Sequence, residues 1–308
     1  MKDRPQAPAG SVPRVLAVGC LLLIGLTGPL PAGAREAEKP VIYVPVLPYE
    51  WLFERIGGDW IEVHAIVGEG DDCHEYSPTP RQVVALAESD LLFSGELGFE
   101  GNFFIKVGDG DNGPKHYSLL DGLELLEGSC EICAEDGERA HSHEHDELKD
   151  PHVWLSPEML SRLAGRVAAI LKDHTPPAAA AEIEANLASL ETDISEIHEE
   201  LGEALAPQKG QSFYVYHGAF AYFAEAYGLE QKAIETNGRR PTPKQIQSIA
   251  QQAREENVKL VFVQPQFDRS SAVSLAETIG GEVAELDPLA KDVLANLRRM
   301  AAAIRQMR

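Results

Sequence analysis

The sequence carries the same short unit twice, and this repetition constrains the fold more than any other feature. One copy, PTPRQVVALAESDLLFSG, begins at Pro78, and the other, PTPKQIQSIAQQAREENVKLVFVQP, begins at Pro241. In each copy a Thr–Pro pair suits the N-cap and first position of a helix, an amphipathic pattern follows, and a short apolar strand ends the unit. Two such units 163 positions apart predict two lobes of related α/β construction.

Strand and helix patterns also alternate along the rest of the chain, which is typical of mainly parallel sheets. The predicted fold class is therefore α/β, with two related lobes that each contain a mainly parallel sheet flanked by helices. The stretch from 178 to 205 has too few strongly apolar positions for a fully buried helix, and we expect it to join the lobes. Further strands are predicted at 41–47, 61–67, 212–216 and 282–286, and helices at 156–172, 178–205, 218–227, 270–279 and 288–306.

The N-terminus has the pattern of a secretory signal peptide. Basic residues precede the apolar run VLAVGCLLLIGLTGPL, and Ala32, Gly33 and Ala34 form a small-residue cleavage site, so cleavage is predicted after Ala34. Cys20 lies within the run, whereas a lipid-modified cysteine is expected at its end. We therefore predict a freely soluble periplasmic protein rather than a lipoprotein.

These patterns divide the chain into four predicted parts. A signal peptide (1–34) is followed by an N-terminal lobe (35–177), a linking helix region (178–206) and a C-terminal lobe (207–308). The N-terminal lobe includes an insertion at 106–149, in which Gly, Asp, Glu and His dominate and no strong periodicity is present. Such a composition is typical of a long loop.

The cysteines and the net charge limit the classes of function. Cys130 and Cys133 form a CEIC pair, which in an oxidising compartment favours a loop disulfide over a metal site or a redox pair, because no thioredoxin-like frame surrounds it. Cys73, directly before His74, would be the odd thiol. The net charge of −22 repels nucleic acid and attracts cations, so we expect no nucleic-acid partner.

Three of the ten histidines follow predicted strands or precede predicted helices in the way that ligand-binding residues of α/β sheets do. Ligands of such sheets sit beyond the carboxyl ends of the strands. His74 and His217 come after strands, and His152 precedes a helix opened by Ser156. Asp287 ends the last predicted strand, although an Asp before Pro is also an ordinary helix N-cap.

Three imidazoles and a carboxylate would form a site that suits zinc, because magnesium and calcium prefer shells of oxygen ligands. His64 lies within a predicted strand, and His174 and His198 lie on helix patterns with polar neighbours, so we interpret these three as ordinary partly buried residues. His116 lies in the acidic insertion, and the sequence suggests no role for it.

Several stretches resemble the metal-binding substrate-binding proteins of ABC importers, specifically the zinc-type branch. The resemblance runs in order from about residue 40 to the C-terminus. It implies two α/β lobes joined by one long helix, with metal held in the cleft between them. The stretches are GDDCHEYSPTPRQVVALAESDLLFSGELGFE, DPHVWLSPEML, FYVYHGAFAYFAEAYGLE, PTPKQI, LVFVQPQF and ELDPL.

The resemblance also implies roles for individual residues. The metal ligands correspond to His74, His152, His217 and, where a carboxylate is used, Asp287. The segment HSHEHDELK is similar to a short form of the family's mobile His-rich loop, in which His141, His143 and His145 would sample metal weakly.

The sequence departs from the family pattern at two positions near these ligands. Cys73 stands where a small, proline or acidic residue is usual, which leaves a thiolate ligand open. Gln264 stands where many relatives have Glu, which puts any role of that position in doubt.

The predicted function is high-affinity binding of Zn²⁺ in the periplasm and its delivery to the membrane permease of an ABC transporter, by a monomer that is not an enzyme. Mn²⁺ is the less favoured cargo. A periplasmic zinc buffer or chaperone without a transporter would use the same ligands. A zinc hydrolase is a weaker alternative, because the sequence has no H-E-x-x-H helix and no clear general base beside the histidines.

Overall fold

Two four-stranded parallel sheets with the same topology organise the chain. The computed structural model describes residues 39–101, 107, 113–128, 149–235 and 240–307. The first sheet has the order β2-β1-β3-β4, and the second has the equivalent order β6-β5-β7-β8. The strands are β1 (Val41–Val44), β2 (Glu62–Ala65), β3 (Leu91–Ser94), β4 (Lys115–Ser118), β5 (Ser212–Val215), β6 (Glu230–Ala233), β7 (Leu260–Val263) and β8 (Glu282–Glu285).

The register of the two sheets is also equivalent. In the first sheet Tyr43 of β1 pairs with His64 of β2 and Leu92 of β3. In the second, Tyr214 of β5 pairs with Lys232 of β6 and Val261 of β7. Every pair of neighbouring strands is parallel.

Helices flank both sheets. They are α1 (Leu47–Gly57), α2 (Pro80–Ala87), α3 (Pro157–His174), α4 (Ala180–Leu205), α5 (Ala221–Tyr227), α6 (Pro243–Glu255), α7 (Ser270–Ile279) and α8 (Val293–Ile304). Together with the two sheets they confirm the predicted two-lobe α/β fold class.

The repeated Thr–Pro unit begins a helix in each lobe. Thr79 accepts a hydrogen bond from the backbone N–H of Gln82, and the Gln82 side chain accepts one from the backbone of Thr79. Thr242 and Gln245 form the same reciprocal pair at the start of α6. This capping box satisfies two backbone donors that would otherwise have no partner inside the helix.

Helix α4 runs along both lobes. Its 26 residues are about 39 Å long at the usual rise per residue. It packs against α1 and α3 on the N-terminal side and against α5 and α8 on the C-terminal side. The buried positions recur at helical spacing, which gives one apolar stripe and a solvated opposite face. They are Ile183, Leu190, Ile194, Ile197, Leu201 and Leu205.

The structure differs from the sequence prediction at several elements. The strand predicted at 41–47 ends at Val44, and α1, which was not predicted, begins at Leu47 with a proline in its first turn. Strands β4 and β6 were also missed. Each is a polar edge strand, KHYS or EQKA, without an apolar alternation. Strand β4 falls inside the range assigned to the acidic insertion.

The last helix begins later than predicted. It starts at Val293 rather than at residue 288, because Asp292 accepts a hydrogen bond from the backbone N–H of Ala295 and caps it. Among the described residues, no helix combines the length and the apolar composition that crossing a bilayer requires.

Candidate metal centre

His74, His152 and His217 come together where the carboxyl ends of the two sheets face each other. His74 lies between β2 and α2, His152 directly precedes the short 3₁₀ turn Val153–Leu155, and His217 follows β5. Ligand atoms of all three lie within 4.8 Å of one another. The structure therefore brings together the three histidines selected from the sequence, and their role as metal ligands stays a prediction.

The closest approach is between the Nε2 atoms of His74 and His217, which lie 3.0 Å apart. Two unprotonated imidazole nitrogens repel at this distance, so one carries a proton and donates it to the other. Two nitrogens bound to one tetrahedral Zn²⁺ are about 3.3 Å apart, given Zn–N bonds of about 2.0–2.1 Å. The observed spacing is close to that geometry.

Two buried carboxylates hold the opposite side of two of these rings. Nδ1 of His152 donates to Asp150 Oδ1 at 2.7 Å, and Nδ1 of His217 donates to Glu235 Oε1. Asp150 is 2% exposed and Glu235 is 8% exposed. Each carboxylate keeps the proton on Nδ1, which leaves the Nε2 lone pair available and makes it more basic. This arrangement is usual behind metal-binding histidines.

The backbone of each histidine is also held. Gln264, which is fully buried, accepts a hydrogen bond from the N–H of His217 at 3.1 Å and donates one to its carbonyl oxygen at 2.5 Å. Asp72 accepts from the N–H of His74, and Asp150 accepts from the N–H of His152. Gln264 thus positions the backbone of His217, a role that the sequence left in doubt. This role requires both the donor and the acceptor of a side-chain amide.

Burial keeps the His74 ring neutral before any cation arrives. The pKa of His74 falls to about 3, first because burial penalises the charged ring and then because His217 and His152 lie beside it. Burial likewise raises the pKa of the Cys73 thiol to about 12, and Asp72 raises it further. Cys73 lies against the same cavity, with its sulfur near ligand atoms of Asp72 and His74, and its accessory role stays a prediction.

A small cavity lies beside the three rings. Its wall combines polar groups from both lobes with apolar groups from the C-terminal lobe. The Phe267 ring packs against His217, with 5.1 Å between centroids. The lining residues are Asp72, Cys73, His74, His152, His217, Gln266, Phe267, Pro288 and Leu289.

Asp287 does not join the group of three histidines. Its Oδ1 accepts hydrogen bonds from Gln266 Nε2 at 2.8 Å and from the backbone N–H of Leu289 at 2.9 Å. It does not cap a helix either, because Asp292 caps α8. These two donors hold the Asp287 carboxylate outside the group of three histidines, and its role as a fourth metal ligand stays a prediction.

The other predicted residues fall into two groups. His141, His143, His145, Cys130 and Cys133, like the signal peptide, lie outside the described residues. His64, His174 and His198 lie away from the centre and contact Glu62, Tyr117 and Tyr227 respectively.

Sequence reasoning missed Asp150, Glu235 and Gln266. Asp150 stands two positions before His152, so its place in KDPH was a usable signal. Glu235 follows β6, and because that strand was missed, its strand-end position was not visible. Nothing in the sequence indicated that Gln266 contacts Asp287.

Comparisons with known proteins agree with this arrangement. The family described as "ZnuA: Zinc-uptake complex component A periplasmic" matches residues 42–307. The crystal structure of ZnuA is 32% identical, covers 88% of this chain and 99% of that chain, and superposes with a TM-score of 0.78.

Two lipoproteins of Streptococcus pneumoniae are also similar. The manganese ABC transporter substrate-binding lipoprotein PsaA is 31% identical over 234 residues, which are 70% of this chain and 69% of PsaA. The zinc-binding lipoprotein AdcA of strain R6 is 26% identical over 246 residues, which are 78% of this chain and 48% of AdcA.

These matches confirm the resemblance identified in the sequence. The relatives include both zinc and manganese proteins. The matches therefore establish a role in metal uptake but do not identify the ion. The family is a substrate-binding component of a transporter and not an enzyme family, which removes the hydrolase alternative. The chain belongs to the ZnuA family and is a metal-binding substrate-binding component of ABC-type metal uptake.

Proposed function

We propose that this protein binds Zn²⁺ in the periplasm with high affinity and delivers it to the membrane permease of an ABC transporter. The observation that carries the proposal is the convergence of His74, His152 and His217, with Nδ1 of the last two held by buried carboxylates. The ZnuA family match and the export pattern of residues 1–34 support the periplasmic location.

The donor set favours zinc over manganese. Imidazole nitrogen is a good ligand for Zn²⁺, whereas Mn²⁺ is better served by carboxylate, carbonyl and water oxygens. The carboxylates of Asp150 and Glu235 bond to Nδ1 of their histidines, and neither belongs to the group of converging ligand atoms. Their two negative charges balance a divalent cation without replacing a nitrogen ligand.

Capture requires a single change of protonation. The proton shared by His74 and His217 must leave the Nε2 pair before both nitrogens can bind the cation. Because Glu235 holds the proton on Nδ1 of His217, the proton to be displaced is the one on His74 Nε2. Binding therefore releases this proton or moves it to Nδ1 of His74.

Competitive titration of the demetallated mature protein against a chromophoric chelator tests the proposal, with Zn²⁺ and Mn²⁺ measured separately. We expect one tight zinc site that is lost in His217→Ala and kept when residues 136–148 are deleted. His64→Ala, which removes a half-exposed histidine paired with Glu62, is the matched control and should bind as the wild type does.

The opposite pattern would contradict the assignment. Tight zinc binding that survives His217→Ala and disappears with residues 136–148 would mean that the loop binds the metal. A wild type that prefers Mn²⁺ over Zn²⁺ would reject the zinc assignment and leave only the family's general role in metal uptake.

A cellular experiment separates delivery from buffering. Removing the gene from its host should reduce uptake of radioactive zinc and growth under zinc limitation, and the His217→Ala gene should not restore either. Normal uptake in the deletion strain, with a smaller pool of periplasmic zinc, would identify a zinc buffer or chaperone that needs no permease.

A further inference from the structure

Gln266 contacts both the three-histidine cavity and Asp287. Its side chain lines the cavity, while its Nε2 donates a hydrogen bond to Asp287 Oδ1 at 2.8 Å. A carboxylate can only accept a hydrogen bond, so the amide nitrogen must face Asp287 and the amide oxygen must point elsewhere. That oxygen is buried, and the described part of the chain provides no hydrogen-bond partner for it.

A buried acceptor such as Gln266 Oε1 normally accepts a hydrogen bond. A buried polar atom without a hydrogen bond destabilises the fold, and in a ligand-binding wall it commonly indicates a missing water or ion. Three imidazole nitrogens leave one position of a tetrahedral zinc shell open. A water molecule in that position would have a proton to donate, and Gln266, whose buried Oε1 has no hydrogen-bond partner among the described residues, is one of the residues that line the same cavity.

The Asp287 carboxylate is the other oxygen that could take the fourth ligand position, and two hydrogen bonds hold it in place. Besides the bond from Gln266, its Oδ1 accepts the backbone N–H of Leu289 at 2.9 Å. The Leu289 bond is local, between residues two positions apart, and keeps the carboxylate near its own turn. The bond from Gln266 comes from 21 positions away and is the one that a side-chain substitution can remove.

We propose that Gln266 is a specificity-determining residue that holds the Asp287 carboxylate out of the cavity and accepts a hydrogen bond from a water molecule in the fourth ligand position. This inference rests on the proposed function. Three nitrogens and a water suit Zn²⁺, whereas a carboxylate in the shell improves the fit for the harder Mn²⁺. Gln266 thus favours Zn²⁺ over Mn²⁺ because it keeps the Asp287 carboxylate out of the metal shell.

The test measures Zn²⁺ and Mn²⁺ dissociation constants of the full mature chain in a double-mutant set. Asp287→Asn alone should change zinc affinity less than about threefold, because the carboxylate is not a ligand. Gln266→Leu should improve the affinity for Mn²⁺ relative to Zn²⁺ by about tenfold or more, because Asp287 is released. Combining the two substitutions should return the ratio to the wild-type value.

A spectroscopic measurement separates this role from a merely structural one. Co²⁺ bound to the wild type and to Asp287→Asn should give the same d–d absorption, and Gln266→Leu should change it because a carboxylate replaces water. Gln266→Met provides a second variant if the leucine variant does not fold. Gln251→Leu, at an exposed position of α6, is the matched control and should alter neither the spectrum nor the ratio.

Two results would overturn the inference. A loss of about 100-fold in zinc affinity in Asp287→Asn would show that the carboxylate is a metal ligand. An unchanged ratio of Mn²⁺ to Zn²⁺ affinity in Gln266→Leu would show that the amide does not hold Asp287 out of the cavity. Retention of tight zinc binding in His217→Ala would instead reject the proposed function, and the inference about Gln266 with it.

Discussion

At the scale of single residues, two of the three histidine rings are held by buried polar groups outside the cluster of converging ligand atoms. Each carboxylate behind a histidine selects one tautomer, and Gln264 fixes the backbone from which one ring projects. Partners of this kind set the basicity and the orientation of a ligand. We therefore expect the metal affinity of the site to depend on the buried polar contacts that surround the three rings as well as on the rings themselves.

Replacing Glu235 tests whether metal affinity depends on the buried polar contacts around the rings. In Glu235→Gln the amide still reaches Nδ1 of His217 but carries no charge, so we expect zinc binding weaker by about 10-fold or more, with little change in thermal stability. The titration used for His217→Ala measures it. Glu285→Gln, at an exposed position of β8, should bind zinc normally. Equal effects of the two substitutions would indicate that only the overall charge of the protein matters.

Glu100 is a second buried carboxyl group with a measurable consequence. It is 4% exposed, and burial raises its pKa to about 7, although the backbone N–H groups of Gly95 and its neighbours partly oppose that shift. The unfolded pKa is near 4.5. Between these values the native state binds more protons than the unfolded state, so stability falls as pH rises from 4.5 to 7, by about 3 kcal/mol in total.

Chemical denaturation of the demetallated protein across this pH range measures the effect of Glu100. The Glu100→Gln variant should lose this component of the pH dependence, whereas Glu88→Gln, at an exposed position after α2, should keep it. A wild-type stability that rises between pH 4.5 and 7, with an equal rise in Glu100→Gln, would contradict the raised pKa.

At the scale of elements, the two lobes reuse one local device. The capping boxes at Thr79 and Thr242 have the same donors and acceptors, with Oγ1 accepting at 3.3 Å in both. A signal contained in four consecutive residues is independent of the rest of the fold. Both helix starts were for this reason predictable from the sequence, whereas polar edge strands such as β4 were not.

Removing either cap should have the same effect. Thr79→Ala and Thr242→Ala should each lower the free energy of unfolding by about 1 kcal/mol, because one backbone donor of each helix loses its partner. Thr192→Ala, at an exposed position within α4, is the control and should not destabilise, since its hydroxyl bonds to the carbonyl one turn back. Urea denaturation measures all three, and an unchanged stability in either cap variant would contradict the prediction.

At the scale of the whole molecule, the lobes are joined by contacts close to the metal centre as well as by α4. The indole N–H of Trp154 donates to the carbonyl oxygen of Pro288 at 2.8 Å, and Trp154 is fully buried. Lys291 pairs with Glu50 and Glu54 of α1 at a more exposed position. The Trp154 bond ties the segment after His152 to the segment after Asp287, and the Lys291 ion pairs tie the latter segment to α1.

The buried Trp154 side chain should contribute more to the free energy of unfolding than the Lys291 ion pairs. Trp154→Phe should destabilise the protein by about 2–4 kcal/mol, because it leaves a buried carbonyl without a donor and removes packed atoms. Lys291→Met should cost less than about 1 kcal/mol, because exposed ion pairs contribute little. Thermal and urea unfolding compare them, and a larger loss for Lys291→Met would show that the ion pairs dominate the contact.

The sequence by itself determined the two-lobe plan and the three histidines of the centre. Both follow from local patterns, namely Thr–Pro helix starts, apolar strands and histidines that follow a strand or precede a helix. Only the tertiary structure decided which groups hold those rings and that Asp287 is bound to Gln266. The contact of Glu235 with His217 joins residues 18 positions apart, and that of Gln266 with Asp287 joins residues 21 positions apart. Their geometry depends on how neighbouring strands align in the folded sheet, and no periodicity within a single segment records that alignment.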